Sequence, residues 1–421
     1  MERWEKLSVG VFFAILVLEG VARFYLVNAG LPQAIYLKDA LALGVVLAAV
    51  IRLLLANTVN RALLVAVAFV AAYTLLGFIR GTSPMEVGVG AKTFLPLLLG
   101  IVAAPLLFTQ RFQKYLALLW VIAAVGVYVD YVVELPWAGL MYDLGDLQVR
   151  ATKQWNAMGF DRLAGFSRSS VDVAAQLLFF WIVAFGSRPA GLRFLTWCLT
   201  GLAIFFTTMK GLMLSWAIIG VAALLLKFRP GKSIVRGLAL VLAYVIVGLP
   251  LLSGPMMSNQ LFQGNIGPLS LYSFGERLRD MWPNQFDTLA QFPLSWLGVG
   301  FGYVGVAATL FRGQVLPGDN VFVYLYFIMG VLSVVPVFAV SLGVARLALL
   351  EGRNRIFFLL GLAFLVNAVT ANVFENAISC FALGCLLGYL MTPTQDEREE
   401  ASEETSPTQP DEPLPYRQTP I

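Results

Sequence analysis

The stretch that decides the fold is Asp319-Asn320 followed by residues 321–344, VFVYLYFIMGVLSVVPVFAVSLGV, which hold no charged residue. A run of that length and polarity fits the roughly 20-residue helix that crosses the hydrocarbon core of a bilayer. Its apolar pattern is continuous, not alternating, which excludes the strands of a membrane β-barrel. Similar runs recur from Leu7 to Met391. The composition agrees: of 421 residues, 59% are hydrophobic and 13% charged, with a mean hydropathy of +0.78. A soluble globular domain has no use for so much apolar surface. The expected fold is an all-α, polytopic membrane protein of about twelve transmembrane helices.

The runs fall at 7–27, 35–55, 62–78, 87–108, 115–133, 171–186, 194–209, 212–226, 237–252, 321–344, 356–373 and 377–391. The first has no small-residue cleavage site after it and reads as a retained helix rather than a signal peptide. Residues 1–391 form one membrane domain on this reading. Arg3 and Lys6, Arg61, Arg111 and Lys114, Arg188 and Arg193, Lys227 to Arg236, and Arg346 to Arg355 all fall on one side. The positive-inside rule makes that side the cytoplasm and puts both termini there. Two longer segments, 134–170 and 253–319, fall on the opposite face, the periplasm of a bacterium with two membranes. The tail, 392–421, is acidic and then proline-rich, and is expected to be disordered in the cytoplasm.

The chain has no histidine. That excludes histidine general-base catalysis, histidine metal ligation and serine–histidine triads. Cys198, Cys380 and Cys385 all lie inside apolar runs and read as buried core residues, with neither disulfide nor metal-ligand spacing. No metal site is expected.

Outward from 321–344, the segment before it is the densest polar stretch beside a span. It reads Ser273-Phe274-Gly275-Glu276-Arg277-Leu278-Arg279-Asp280-Met281-Trp282, then Phe292-Pro293-Leu294, Gly298-Val299-Gly300-Phe301-Gly302 and Pro317-Gly318-Asp319-Asn320. Polar density against hydrocarbon is costly and marks candidate sites. Cations on this face run against the positive-inside bias. They are Arg80, Lys92, Arg150, Lys153, Arg162, Arg168, Lys210, Arg277, Arg279 and Arg312.

For each candidate a structural and a functional reading are open. Arg162 is either an interfacial ion pair or a phosphate clamp, since guanidinium grips phosphate oxygens in a fork and stays charged. Lys210 lies in a turn too tight to be a solvated loop, so it snorkels or points inward. Arg277 and Arg279 sit on an interfacial helix beginning near Ser273. Two residues apart they point about 200° from each other, so one of them faces a given pocket. Glu276 shares that helix surface with Asp280 or pairs with a neighbouring arginine. Trp282 and Phe286 pack on one face. Gly298, Gly300 and Gly302 allow close backbone approach and match no nucleotide motif. Asp319-Asn320 is either a helix N-cap or a group that orients or deprotonates a hydroxyl. Glu19 and Arg23 read as a local intramembrane pair. Asp130, Glu134 and Glu375 are candidate partners for sugar hydroxyls, and Trp137, Trp155, Trp282 and Trp296 for sugar rings. No inverted symmetry of broken helices of the transporter kind is legible.

In order along the chain, these elements resemble the O-antigen ligase/polymerase superfamily, which includes the Wzy-type polysaccharide polymerases. Arg162-Leu163-Ala164-Gly165 resembles its Arg-x-x-Gly before a span. Thr207-Thr208-Met209-Lys210-Gly211 resembles its tight turn, with lysine in place of arginine. Arg277 or Arg279, Trp282, Pro293 and Gly298-Val299-Gly300 resemble its large loop, and Asp319-Asn320 with Gly330 its closing pair. The likeness covers about 150–340. Lipid A–core ligases of the superfamily carry histidine where this chain has Asp319, which favours the polymerase branch.

The resemblance implies a GT-C-like, metal-independent and cofactor-free glycosyltransferase of the inner membrane, joining undecaprenyl-diphosphate-linked oligosaccharide repeats into exopolysaccharide, capsule or O-antigen. The chain would grow at its reducing end. Arg162, Lys210 and one of Arg277 or Arg279 would hold the diphosphate. Asp319, or else Glu276, would handle the acceptor hydroxyl. Gly165, Trp282, Gly298, Gly300 and Asn320 would line the substrate site. The lipid bilayer, a flippase and a chain-length regulator are the implied partners, with no nucleic acid. An oligosaccharide ligase, a secondary transporter or flippase, and a structural envelope subunit are the alternatives.

Overall fold

The computed structural model describes residues 1–55, 60–144, 147–153, 156–157, 160–186, 188–254, 270–313, 316, 318–350 and 354–392. Trp155, Pro317, Arg353 and nearly all of the acidic tail lie outside the described residues. Of the described residues 76% are helical and 3% lie in strands.

The helices are α1 (Arg3–Val17), α2 (Glu19–Asn28), α3 (Leu37–Leu55), α4 (Arg61–Ile79), α5 (Pro84–Lys92), α6 (Leu95–Ala103), α7 (Gln110–Val132), α8 (Ser170–Phe185) and α9 (Ala190–Phe206). They continue as α10 (Lys210–Leu225), α11 (Arg229–Leu251), α12 (Tyr272–Glu276), α13 (Trp282–Ala290), α14 (Val306–Arg312), α15 (Val321–Met329), α16 (Val334–Leu347), α17 (Asn354–Ala368) and α18 (Ala377–Leu390).

Among the described residues six helical segments are long and apolar enough to cross a membrane: Pro32–Leu55, Arg61–Ile79, Pro84–Phe108, Gln110–Val132, Arg229–Leu251 and Val321–Leu347. Five further apolar helices, α8, α9, α10, α17 and α18, are shorter. The shortness of α8, α17 and α18 goes with their position. They are buried almost all round, as helices in the middle of a bundle are. Helices α6 and α18 form the closest pair. A Cβ on Gly100 or Gly384 would collide with the carbonyl oxygen of Phe381 or Leu97, so only glycine lets the two backbones meet.

The first apolar run is not one helix. Helices α1 and α2 meet at Leu18 with a bend of 84°. The cause is polar. Glu19 accepts from Arg23 at 2.6 Å and stands 3.1 Å from Lys38. Gly20 N donates to Phe166 O at 2.9 Å. A straight helix would carry Glu19 and Arg23 onward into hydrocarbon; the bend lays them against Lys38 and the Phe166 turn. The pair anticipated from sequence is therefore real, but it belongs to a break in the helix.

The 134–170 segment contains two small antiparallel hairpins. In the first, β1 (Met141–Leu144) pairs with β2 (Leu147–Arg150); in the second, β3 (Asn156–Ala157) pairs with β4 (Phe160–Asp161). Cys380 and Cys385 are buried as expected, whereas Cys198 is exposed on α9. Its face of α9 has fewer packing partners than sequence hydropathy suggests.

Candidate functional site

One end of the bundle collects the polar loops. Ser167 Oγ donates to Val17 O at 3.1 Å. Arg80, at the end of α4, donates to Pro293 O and Leu294 O at 2.5 and 3.1 Å. Asn376 Nδ2 donates to Asp172 at 2.9 Å. These bonds tie the loop before α8 to the end of α1, the end of α4 to the loop after α13, and the α17–α18 junction to the first turn of α8.

The helix expected near Ser273 is present and irregular. Helix α12 leads into a π-helical turn, Arg277–Met281, and then into α13, with Pro283 in its first turn. π-turns occur often at functional sites. This one separates the two arginines. Arg277 donates to Asp319 Oδ2 through Nε at 3.0 Å, and its Nη2 lies 2.8 Å from the same oxygen. Arg279 turns to Asp280 next to it, 2.5 Å away. Glu276 is exposed and its charge acts on Arg279, so it is not brought to Asp319. The catalytic roles expected of Glu276 and Arg279 therefore find no geometry at Asp319.

Asp319 and Asn320 divide the two readings open for them. Asn320 is fully buried. Its Oδ1 accepts from Phe322 N and Val323 N, capping α15, and its Nδ2 donates to Ile246 O and Val369 O. All its polar capacity is used inside the protein, which overturns its assignment to substrate. Asp319, one residue earlier, is left to face Arg277.

Arg162 is held near this pair. Gly165 has φ +59, and a Cβ there would press on the backbone at Gly126. Its N–H and that of Ala164 both donate to Asp130 Oδ2, at 2.8 and 3.0 Å. The Arg-x-x-Gly turn thus sits on α7, with Asp130 accepting from its backbone and Gly165 lining the same cavity as Arg162. Burial, and then the charge of Arg277, hold the Arg162 guanidinium below its ordinary value. Arg162 also lines a cavity of about 280 Å³ with Glu134 and Asp161. Lys210 points inward, and its Nζ donates to Ser270 O. The charges of Arg162 and Arg277 both act on Lys210. Three of the expected cations therefore share one neighbourhood beside Asp319.

Other expected contacts are structural. Trp282 is fully buried against Leu278 and Val323, with Phe286 packed beside them, so its ring is closed to a sugar. Trp137 is buried and donates Nε1 to Gly165 O at 3.0 Å. Trp296 is exposed. Gly298 and Gly300 press against the backbones of Ile328 and Gly77, where any side chain would collide. They seat the loop on α15 and α4 and do not line a substrate site. Arg312 forms a fork with Glu86 at 2.7 and 3.1 Å and lies over the Tyr303 ring.

Sequence reasoning missed a further feature. A cavity of about 1130 Å³ has Asp319 in its lining. Its polar wall carries Arg23, Lys38, Lys92, Arg150, Lys153 and Arg168, against Asp39, Asp319 and Glu375. Its apolar wall includes Leu43, Val70, Leu95 and Leu98. The signal was present in the cations that break the positive-inside bias, but nothing in the sequence grouped Lys153 with Lys38 and Lys92. Glu375 accepts from Val306 N at 2.5 Å, and burial raises its pKa. Burial, and then Arg168, push the Lys153 ammonium down.

No family model, no curated protein and no solved structure matches this chain. The fold and site define a mostly helical membrane protein with a charged, cavity-bearing loop end.

Proposed function

We propose that the chain is a glycosyltransferase of the polysaccharide-polymerase kind, with twelve spans in a GT-C-like arrangement and its loop end in the periplasm. It joins polyprenyl-diphosphate-linked repeat units. The observation that carries this reading is the Arg277–Asp319 pair, flanked by Arg162 and Lys210 and bordered by a large amphiphilic cavity.

The chemistry follows from charge. The acceptor hydroxyl oxygen bonds to the donor sugar's anomeric carbon. The bond from that carbon to the diphosphate breaks, and the lipid diphosphate leaves with the electron pair. Fixed cations in a poorly hydrated site stabilise that developing charge. Arg277 is the pivot: a diphosphate arriving among Arg162, Lys210 and Arg277 competes with Asp319 for the guanidinium. The carboxylate so released orients the acceptor hydroxyl and takes its proton.

The test is Arg162→Ala and Arg277→Ala in the producing cell. Both should abolish polymer and accumulate single lipid-linked repeats while the protein still inserts. Polymer of normal length in both variants would reject the reading.

The 84° break in the first span and the size of the cavity favour a second reading, a lipid flippase, because discontinuous helices with charges are a transporter device. Purified protein in detergent separates the two. Chain extension of a lipid-linked oligosaccharide needs no bilayer, whereas translocation has no meaning without one.

A further inference from the structure

The 1130 Å³ cavity is charged at one end and apolar at the other. Six cationic side chains line it against three carboxylates. Each carboxylate is engaged: Asp39 with Lys92 at 2.5 Å, Asp319 with Arg277 at 2.8 Å, and Glu375 with Val306 N at 2.5 Å. Arg23 and Lys38 share Glu19 behind the wall. Of the six, Lys153 and Arg168 are the two that adjacent backbone brings to one place in this wall.

The backbone forces those two together. Lys153 N donates to Arg168 O at 2.8 Å, and Lys153 bridges Ser169 in parallel fashion. Two cations fixed side by side in a partly buried wall repel each other, and an anion between them relieves the repulsion. Asp172, Glu375 and Glu19 act on Lys153 from neighbouring elements and offset part of that repulsion. The Nε of Arg168 is buried and makes no hydrogen bond among the described residues. An unmet buried donor calls for an acceptor.

The apolar end is suited to hydrocarbon. Leu95 and Leu98 stand on α6, Val70 on α4 and Leu43 on α3. Leu43 is 48% exposed, so this end of the cavity reaches the perimeter of the bundle. A pocket of this size holds far more than a phosphate ion.

We infer that this cavity is a second anion site, for an amphiphile with a phosphate or diphosphate head at Lys153 and Arg168 and an isoprenoid or acyl tail along Leu43, Val70 and Leu95. In one respect it rests on the transferase reading. That reaction brings two lipid diphosphates together, and the cavity takes the one that keeps its diphosphate, the acceptor, with its sugar end at Asp319.

The experiment uses the full chain purified in detergent and three probes: farnesyl diphosphate, farnesol and inorganic pyrophosphate. Farnesyl diphosphate should bind at least tenfold more tightly than either of the others. In an Arg162→Ala background, Lys153→Gln with Arg168→Gln should erase its advantage over farnesol, and Leu43→Trp its advantage over pyrophosphate. Equal binding of pyrophosphate would make this a free-phosphate site, and equal binding of farnesol a plain apolar pocket; either result overturns the inference. So does unchanged binding by the folded double variant. A polyprenyl diphosphate carrying a diazirine on its tail gives a test that needs no variant: it should crosslink to α3 and α6, and crosslinking only elsewhere overturns the assignment. Arg162→Ala should lose at most the donor-site share of farnesyl diphosphate binding and keep the share that Lys153→Gln with Arg168→Gln removes. Normal polymer in that variant would sink the transferase reading and leave the cavity assignment intact. Lost cavity binding with intact polymer sinks the inference alone.

Discussion

Arg277 and Asp319 lie 42 residues apart and meet through two guanidinium nitrogens on one carboxylate oxygen, at 3.0 and 2.8 Å. Both side chains are about a quarter exposed, 22% and 27%. An ion pair open to solvent adds about 1 kcal/mol or less to stability. Arg277→Ala should therefore insert and fold, and yet lower transfer by about 100-fold or more, the scale of losing a charge-stabilising group. Arg279→Ala should stay within about twofold, because Arg279 is turned to Asp280. Polymer yield per folded molecule, measured in both variants, checks this. Equal losses would show that the π-turn does not choose between the two arginines.

Asn320 should behave differently from its neighbour. Asn320→Ala removes the α15 cap and leaves Ile246 O and Val369 O without their donor. Cap loss costs about 1 kcal/mol, and each buried unpaired group about 1–3 more. The expected outcome is a lower yield of folded protein, with normal transfer by the molecules that do fold. Asp319→Asn should give the reverse: normal yield and lost transfer. Size-exclusion profiles beside activity separate the two.

The mostly helical, membrane-protein class was legible because hydropathy and length report on single helices, which need only their own residues. The 84° bend at Leu18 was not, since it depends on Glu19 meeting Lys38 and on Gly20 meeting Phe166, far along the chain. Asp319-Asn320 was legible as a cap or a site, but the division of labour between them needed Ile246 and Val369 in place. Trp282 and the glycines of 298–302 look like ligand-facing residues in sequence because the same residue types serve tight packing. The Lys153–Arg168 juxtaposition is made by one backbone bridge across a loop, which no periodicity encodes.

The α6–α18 crossing should be intolerant of side chains. Gly100→Val and Gly384→Val would each drive methyl groups into a facing carbonyl. Overpacking of this kind costs about 1–3 kcal/mol, and more where backbones touch. Gly237, with nothing within 4 Å of its Cβ position, is the control. Gly237→Ala should melt at or slightly above the temperature of the parent protein, since alanine is the better helix former. Thermal melts in detergent that rank the three variants together would remove the glycine contact as the basis of the crossing.

Glu375 supplies a pH dependence whose sign can be worked out. Burial raises its pKa in the folded protein, offset in part by the bond from Val306 N and the charge of Lys153. A carboxyl with a raised folded pKa holds its proton in the folded state when the unfolded chain has released it. The unfolded state then binds fewer protons, so stability falls as pH rises from the ordinary glutamate value through the folded one. Glu375→Gln keeps an oxygen for Val306 N and cannot ionise. Relative to that variant, the parent should lose roughly 1–3 °C in Tm as pH rises above about 5. Parallel melts of the two proteins across that range test it, and a gap that closes with rising pH would mean that Glu375 is ionised and stabilised by Lys153 instead.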